Sequence, residues 1–545
     1  MPRPDFLRSR LQPDFLRSRL RIAAQCGLAA FLLLCCDASL RGADMPAVGF
    51  VGAWERSIAL VDRAARETGI GIEWLTSDKL INDEHALDGV GVLFVLNLDP
   101  KDVTGIIESL RRAKTSNPGL TAVALDQRDV HATLLKAELL KSDAKVPPYW
   151  RANGLANIKR LLSYAAATYL GRDSAIEPPL PVPDAGYFDS ARADPFDNFG
   201  AYRAYKIAQK RWFDDRPVAV LMIQQSFWIT EDTKVINAQA AALEKRGINV
   251  AVIFGDTHER VNELIRAAKP DVLIEDRHGG NWPKDALESL DVPYVRPISM
   301  LGSTIDEWLK NPRGMAHRDV GLFMTVQESK GTIEPMVVGG LKASVQGFRV
   351  HEPIADRIER FADRTKKWLD LRAKKNADKR IAIIYYNKSL GKDDLLRGSP
   401  TGAFLDGPKS LVRFLPELKA KGYEIAPVPQ TAEELLGWVK AKGRNIGPWA
   451  RAELEQLVTE GEPTLIPLAK YQAWFNAKLT EAGREAVLKH HGPPPGKLMT
   501  ISYNGAPHIV LPHIELGNVL LAPQPERGEK QDDRLIHSRD VPPPH

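Results

Sequence analysis

Residues 508–545 read HIVLPHIELGNVLLAPQPERGEKQDDRLIHSRDVPPPH, and this stretch carries more structural information than any other in the chain. Ile509 to Leu511 and Val519 to Leu521 are apolar, rich in β-branched residues and bounded by proline and glycine, which predicts two short buried strands. Between them Gly517 and Asn518 supply a position that can take a positive φ. The stretch therefore predicts strands separated by a tight turn and followed by a polar segment.

Prolines brace that polar segment. Pro523 and Pro525 stiffen the chain after the second strand, and a triple proline ends the stretch. The polar side chains that the segment displays are Gln524, Arg527, His537 and His545. A rigid loop of this kind can present such groups to a ligand, but a proline-braced connector between domains has the same composition. The residues alone leave both interpretations open.

Two further blocks point to a family. Arg380 to Pro429 reads RIAIIYYNKSLGKDDLLRGSPTGAFLDGPKSLVRFLPELKAKGYEIAPVP, and His491 to Gly496 reads HGPPPG. Together with GNV-x-x-x-x-QP-x-RG, a later histidine and PPPH, they resemble the CobN/magnesium-chelatase H family, the large substrate-binding subunits that insert a metal into a tetrapyrrole. The resemblance is good over residues 380–545, looser over 218–375 and faint before that. It corresponds to the front part of such a subunit.

The resemblance implies a function. The chain would be the N-terminal portion of a cobaltochelatase-like enzyme that inserts cobalt or magnesium into a tetrapyrrole, such as hydrogenobyrinic acid a,c-diamide in cobalamin biosynthesis. It also implies partner AAA+ ATPase subunits that hydrolyse ATP. Family members continue well beyond the PPPH element, whereas this sequence stops at His545. We therefore expect the chain to be catalytically incomplete without the C-terminal part of the large subunit.

The same resemblance suggests site residues. Metal insertion needs a base for the pyrrole N–H protons, an imidazole or carboxylate that hands over the ion, and cations or amides that hold the rim of the macrocycle. Imidazoles and carboxylates concentrate near the C-terminus at His508, His513, Glu515, Glu526, His537 and His545. The predicted substrate-binding residues are Asn387, Asn518, Gln524 and Arg527, and the catalytic candidates are His537 and His545. No site for a resident metal is predicted, and most of the chelation site is expected beyond the C-terminus.

Composition narrows the function classes. The formal net charge is +5, but residues 1–38 carry six arginines and three aspartates, a net +3, which leaves +2 for the rest. This balance gives no indication of nucleic-acid binding. A hydrophobic content of 44% and a charged content of 26% are those of ordinary globular protein. All three cysteines lie before residue 40, so a processed chain would have no disulfide and no cysteine metal site.

The N-terminus predicts export. PDFLRSRL occurs at 4–11 and again at 13–20, and an apolar run of 15 residues follows from Ile22 to Cys36. A basic start before a short apolar run is typical of a signal peptide, with an uncleaved anchor as the alternative, so residues 1–44 are assigned to this segment. Both interpretations place the body outside the cytoplasm, in the periplasm or on the membrane. A cytoplasmic location follows only if the N-terminal extension is not used.

Export conflicts with dependence on ATP, which an exported subunit would lack. The competing class is therefore an exported tetrapyrrole-binding or metal-removing protein that scavenges haem or corrinoids without ATP. A periplasmic α/β binding module is a third class.

Alternating apolar strands and amphipathic helices predict an α/β, multidomain fold built from successive flavodoxin-like or doubly wound parallel-sheet units. A chain of 545 residues suggests about three domains. The predicted units are 45–176, 201–345 and 378–545, with a Pro-rich linker at 177–200 and a linker helix within 346–377.

Two loops suggest ligands from their composition. His278-Gly279-Gly280-Asn281 follows a predicted strand at its C-terminal end, where doubly wound sheets bind ligands, so His278 is either a substrate contact or an ordinary loop histidine. Gly402 to Ser410 almost spells a phosphate-binding P-loop. Pro408 separates its glycine from Lys409 and removes an N–H that a phosphate cradle needs, so we reject nucleotide binding.

Overall fold

The structure, a computed structural model, describes residues 47–53, 55–192, 194–255, 258–278, 288–343, 349–385, 406–525 and 541–545. The chain divides into two compact units, Met1–Leu369 and Asp370–His545. Segment 1–44 lies outside the described residues, so its export signal stays a prediction. Across the described ranges, no helix is both long enough and apolar enough to cross a membrane.

The first unit begins with a four-stranded parallel sheet. Its strands are β1 (Ala47–Val51), β2 (Ile72–Leu75), β3 (Val90–Val95) and β4 (Thr121–Ala124), in the order β2-β1-β3-β4. Its helices are α1 (Ile58–Thr68), α2 (Ser77–Asn82), α3 (Val103–Ser116), α4 (Ala132–Lys136), α5 (Val146–Ala152) and α6 (Gly154–Tyr169). Every residue of β3 is buried, because alternate side chains enter apolar clusters on the two faces of the sheet. The predicted flavodoxin-like start is confirmed.

A seven-stranded sheet completes the first unit. Its strands are β5 (Ala185–Phe188), β6 (Val218–Ile223), β7 (Asn249–Gly255), β8 (Val272–Glu275), β9 (Tyr294–Thr304), β10 (Ile333–Ala343) and β11 (Arg349–Pro353), in the order β11-β10-β9-β8-β6-β7-β5. The five central strands are parallel, and β5 and β11 pair antiparallel at the two edges. Its helices are α7 (Phe199–Ala208), α8 (Gln225–Ile229), α9 (Lys234–Lys245), α10 (His258–Ala268), α11 (Ile305–Lys310), α12 (His317–Val320), α13 (Val326–Glu328) and α14 (Ala355–Ala373), with a π-helical turn over Gly321–Thr325.

Both predicted linkers contain elements of this sheet. The Pro-rich run includes β5, whose Tyr187 is fully buried and donates its hydroxyl to the carbonyl oxygen of Leu264 at 2.6 Å. The linker segment near 346–377 includes β11 and α14, and α14 buries Ile358 and Phe361 in the core of the sheet. The apolar residues within each run recruit it to the sheet, which proline content and helical periodicity alone do not reveal. The predicted division into three domains stays a prediction.

The second unit contains two small sheets. Its strands are β12 (Ile381–Tyr385), β13 (Thr464–Pro467), β14 (Thr500–Tyr503), β15 (Ala506–Leu511), β16 (Ile514–Leu516) and β17 (Val519–Pro523). Strand order is β12-β17-β16 in one sheet and β13-β15-β14 in the other. Its helices are α15 (Gly407–Ala420), α16 (Ala432–Lys442), α17 (Arg451–Glu460), α18 (Leu468–Lys478) and α19 (Glu481–His491). Strands β12 and β17 are parallel, whereas the other strand pairs are antiparallel. The α/β class is therefore confirmed, with an antiparallel addition in this unit.

The turn predicted between β16 and β17 forms as expected. Gly517 has a φ of 63°, in the left-handed region that glycine favours. A Cβ at this position would lie 2.9 Å from the carbonyl oxygen of Glu424. Both the backbone conformation and the close approach therefore require glycine.

Candidate functional site

The carboxyl ends of β12 and β17 define one edge of the second unit. The two strands run parallel with Tyr385 opposite Pro523, and the N–H of Gln524 donates to the carbonyl oxygen of Tyr385 at 2.8 Å. Asn387 and Arg527 follow these two strand ends within a few residues and lie outside the described residues. The chain segments that carry three of the predicted substrate-binding residues therefore leave the sheet at a single edge, where parallel sheets bind ligands.

A buried loop at residues 443–447 supports this edge. The hydroxyl of Tyr385 donates to the carbonyl oxygen of Gly443, and Asn445 Nδ2 donates to the carbonyl oxygen of Gln524 at 2.7 Å. Asn445 is 3% exposed, so its amide is part of the interior. The sequence analysis did not identify this loop. Its GRNIG sequence has no periodicity, and the one available signal was a short polar run between two helices.

Asn518 lies at the other end of β17. Its side chain donates to the carbonyl oxygen of Ala377 at 2.7 Å, and its backbone N–H donates to that of Glu424 at 2.9 Å. Six residues of extended chain separate Asn518 from Gln524, a span of about 20 Å. The structure thus does not bring Asn518 together with Gln524, and its role in substrate binding stays a prediction.

His545 is held against the HGPPPG segment. Its Nε2 lies 2.8 Å from the carbonyl oxygen of Gly492, and its Nδ1 lies 3.1 Å from the hydroxyl of Tyr471. A neutral imidazole protonated on Nε2 satisfies both contacts, since it donates to the carbonyl and accepts from the hydroxyl. His491 contacts the carbonyl oxygen of Pro542 at 2.7 Å in the same way. The structure therefore packs the PPPH and HGPPPG motifs together, and both ring nitrogens of His545 are engaged.

The other candidate imidazoles make local contacts. His508 Nδ1 lies 2.9 Å from the carbonyl oxygen of Ala506, and His513 Nδ1 lies 3.1 Å from that of Leu511. His537 and Glu526 lie outside the described residues. Within the described ranges, no three His, Cys, Asp or Glu side chains are grouped so that they could hold a metal ion.

The first unit has its own ligand-type edge. Its central strand order β7-β6-β8-β9-β10 places the topological switch point between β6 and β8, the position at which doubly wound sheets open a crevice. Gln224, which follows β6, donates its Nε2 to the carbonyl oxygen of His278, which follows β8, at 3.1 Å. His278 therefore lies at the switch point, as its sequence position predicted, and residues 279–281 lie outside the described residues.

Buried charges underlie this crevice. Burial would raise the pKa of Glu275, but the charges of Arg277 and Arg296 and a hydrogen bond from Tyr294 outweigh burial and lower that pKa to about 2. For the neighbouring Asp276 burial dominates and raises the pKa to about 6, even though Asp276 also accepts hydrogen bonds. Two adjacent carboxyl groups are thus driven in opposite directions by burial and by the guanidinium groups beside them.

The donors to Asp276 come from two elements. Gln239 Nε2 on α9 lies 2.7 Å from Asp276 Oδ2, and the hydroxyl of Ser299 on β9 lies 3.0 Å from the same oxygen. Both side chains are buried. This network connects a helix to two strands beneath the crevice.

The fold and its two edges define a multidomain α/β protein whose candidate ligand positions lie at the carboxyl ends of parallel strands. The model of the CobN/Magnesium Chelatase family matches residues 148–545, and the chain belongs to this family.

Individual relatives agree with this assignment. An uncharacterized protein of Methanocaldococcus jannaschii is 25% identical over 76% of this chain and 35% of its own length. The H component of magnesium chelatase from Chlorobaculum parvum is 26% identical over 75% and 32%, and the CobN component of aerobic cobaltochelatase from Sinorhizobium sp is 25% identical over 73% and 31%. The chain thus spans about a third of the length of these relatives. The catalytic subunit of cobaltochelatase from Mycobacterium tuberculosis shares the fold, with a TM-score of 0.60 and 20% identity over 92% of this chain and 40% of that one.

Proposed function

We propose that this chain is the N-terminal portion of the large, substrate-binding subunit of a chelatase, and that it supplies one wall of the site in which a divalent metal enters a tetrapyrrole. The metal, cobalt or magnesium, is a substrate. The chain covers about a third of its relatives. The opposite wall and most of the chelating groups are therefore assigned to the remainder of the large subunit.

The observation that carries this proposal is the contact between Gln524 and Tyr385. This hydrogen bond of 2.8 Å joins the block at 380–429 to the block at 508–545, which are the two blocks that most resemble the family. It places Gln524 at a strand edge that the Asn387 and Arg527 segments leave. Amide groups and a guanidinium suit the carboxamide and carboxylate rim of a tetrapyrrole, because they supply both donors and acceptors and a permanent positive charge.

Energy for insertion comes, in this proposal, from separate AAA+ subunits, because the one P-loop-like sequence of the chain contains Pro408 in place of a required N–H donor. The Arg-rich start and the apolar run that follows it support a second candidate, an exported protein that binds tetrapyrroles or removes their metal without ATP. Fractionation of a tagged full-length chain separates the two. A cytosolic, unprocessed product supports insertion, and an exported product supports scavenging.

Equilibrium titration tests the proposal. Metal-free deuteroporphyrin and hydrogenobyrinic acid a,c-diamide are added to the chain, alone and with the remainder of the large subunit supplied in trans, and binding is followed by absorbance. We expect saturable binding that tightens in trans, because one wall buries little of a ligand. Absence of saturable binding of either compound under both conditions would refute the proposal.

A matched pair of variants locates the site. Arg527→Ala removes a charge-assisted contact of about 1.5–3 kcal/mol, so binding should weaken by roughly tenfold or more. Arg413→Ala, on the exposed side of α15, removes the same charge elsewhere in the unit and should leave the affinity unchanged. Equal affinities for both variants would remove Arg527 from the site. Loss of metal from a metallated tetrapyrrole without ATP would favour the scavenging function.

A further inference from the structure

Trp449 exposes an unusually large apolar surface. Its side chain is 67% exposed, the highest value for any tryptophan within the described ranges. An exposed indole leaves much of its apolar surface in water, and covering that surface stabilises a complex. Trp449 is therefore placed to gain contacts from something that binds at this point.

The loop beneath Trp449 is held firmly. Residues 443–447 are all buried. Arg444 pairs with Glu453, and the N–H of Ile446 lies 3.1 Å from the sulfur of Met499. The indole itself lies against Gly447, where a Cβ would approach the ring to 2.4 Å. The absence of a side chain at position 447 therefore lets the ring rest on the backbone in a defined position.

The same loop belongs to the candidate substrate edge. Asn445 donates to the carbonyl oxygen of Gln524, and Gly443 accepts from the hydroxyl of Tyr385. Trp449 is four residues beyond Asn445, so its backbone lies within about 14 Å of that contact. The exposed indole and the polar candidates Gln524 and Arg527 are thus anchored to one end of the β12–β17 pair.

We propose that Trp449 binds the flat face of a metal-free tetrapyrrole by aromatic stacking, while the polar groups at the strand ends hold its rim. This inference rests on the proposed function and names a contact that the sequence motifs do not contain. A planar π surface on a rigid loop suits a planar macrocycle, because offset stacking adds to the free energy of apolar burial. Trp449 is in this view a substrate-binding residue that sets the orientation of the ring.

The test compares wild type with Trp449→Ala, Trp449→Phe and the control Trp474→Ala, which removes the other exposed tryptophan of the unit, 44% exposed. Metal-free deuteroporphyrin is titrated into each full-length chain together with the remainder of the large subunit. We expect Trp449→Ala to weaken binding about tenfold, the factor that corresponds to about 1.4 kcal/mol. Trp449→Phe should keep most of the affinity, and Trp474→Ala should keep all of it. Circular dichroism confirms that each variant is folded.

Two outcomes separate this inference from the proposed function. If wild type binds and all three variants bind equally well, the stacking role of Trp449 is refuted while the proposed function stands. If wild type shows no saturable binding, the proposed function fails and the inference fails with it. A second readout is quenching of tryptophan emission by the bound porphyrin. The quenched fraction should fall in Trp449→Phe relative to wild type at saturation.

Discussion

Asn445 Nδ2 donates a hydrogen bond of 2.7 Å to the backbone carbonyl oxygen of Gln524, across 79 residues of chain. This contact fixes the path of the chain at the point where it leaves β17 and enters the segment that carries Arg527. It connects a loop with no recognisable motif to the stretch that most resembles the family. Asn445 is therefore a positioning residue for the candidate edge.

Replacing Asn445 with alanine should lower the free energy of unfolding of the second unit. The change leaves the carbonyl oxygen of Gln524 without this buried donor, at a cost of about 1–3 kcal/mol. Chemical denaturation measures the loss. Asn476→Ala is the control, since Asn476 lies on the exposed face of α18 and its removal should change stability by less than about 0.5 kcal/mol. Equal stabilities of the two variants would contradict the assigned role.

Asp276 predicts a pH dependence of stability. Its pKa of about 6 in the folded state lies above the ordinary value of 3.8, so the folded state holds this proton more tightly than the unfolded state. The contribution to stability is complete below about pH 4 and is lost as the pH rises through 6, an effect of up to about 3 kcal/mol. The stability of wild type minus that of Asp276→Asn should fall by about 2–3 kcal/mol between pH 4.5 and 7.5. A constant difference would exclude the effect.

Glu275 supplies a test of opposite sign. Its folded-state pKa of about 2 lies below the ordinary value of 4.5, so its contribution to stability is present above pH 4.5 and disappears as the pH falls toward 2. Stability measurements on Glu275→Gln should therefore converge with those of wild type only in acid. Convergence at neutral pH would show that the ion pair with Arg277 contributes nothing.

Gly517→Ala and Gly505→Ala form a matched pair. Both glycines have positive φ angles, 63° and 76°, so both substitutions cost about 1–2 kcal/mol in backbone strain. A Cβ at position 517 also meets the carbonyl oxygen of Glu424 at 2.9 Å, whereas one at 505 has no neighbour within 4 Å. Thermal denaturation should show a clearly larger loss for Gly517→Ala. Equal losses would mean that the turn relaxes without resistance from Glu424.

His545→Ala should loosen the PPPH segment. The change removes contacts with Gly492 and Tyr471 and the packing of the imidazole against Phe475, whose ring centroid is 5.2 Å away. We expect a loss of about 1–2 kcal/mol in the free energy of unfolding. His490→Ala, at an exposed position, should leave stability nearly unchanged. If His545→Ala matches this control, the packing of the two motifs does not stabilise the unit.

Local sequence patterns determined the elements of this protein. Apolar β-branched runs predicted the strands of both sheets in the first unit, and the Gly517 turn followed from the need for a positive φ. The motifs at the C-terminus identified the family, which the family comparison confirmed. These features depend on residues close together in sequence, so the sequence could determine them without knowledge of the fold.

Only the tertiary structure decided which candidate residues meet. The parallel pairing of β12 with β17 brings Gln524 to Tyr385 and places Asn518 about 20 Å away at the opposite strand end. The recruitment of β5 from a Pro-rich run and the support of Gln524 by Asn445 also depend on distant partners. Strand order and register create these contacts, and the energy of a contact between distant segments leaves no periodic trace in the sequence of either one.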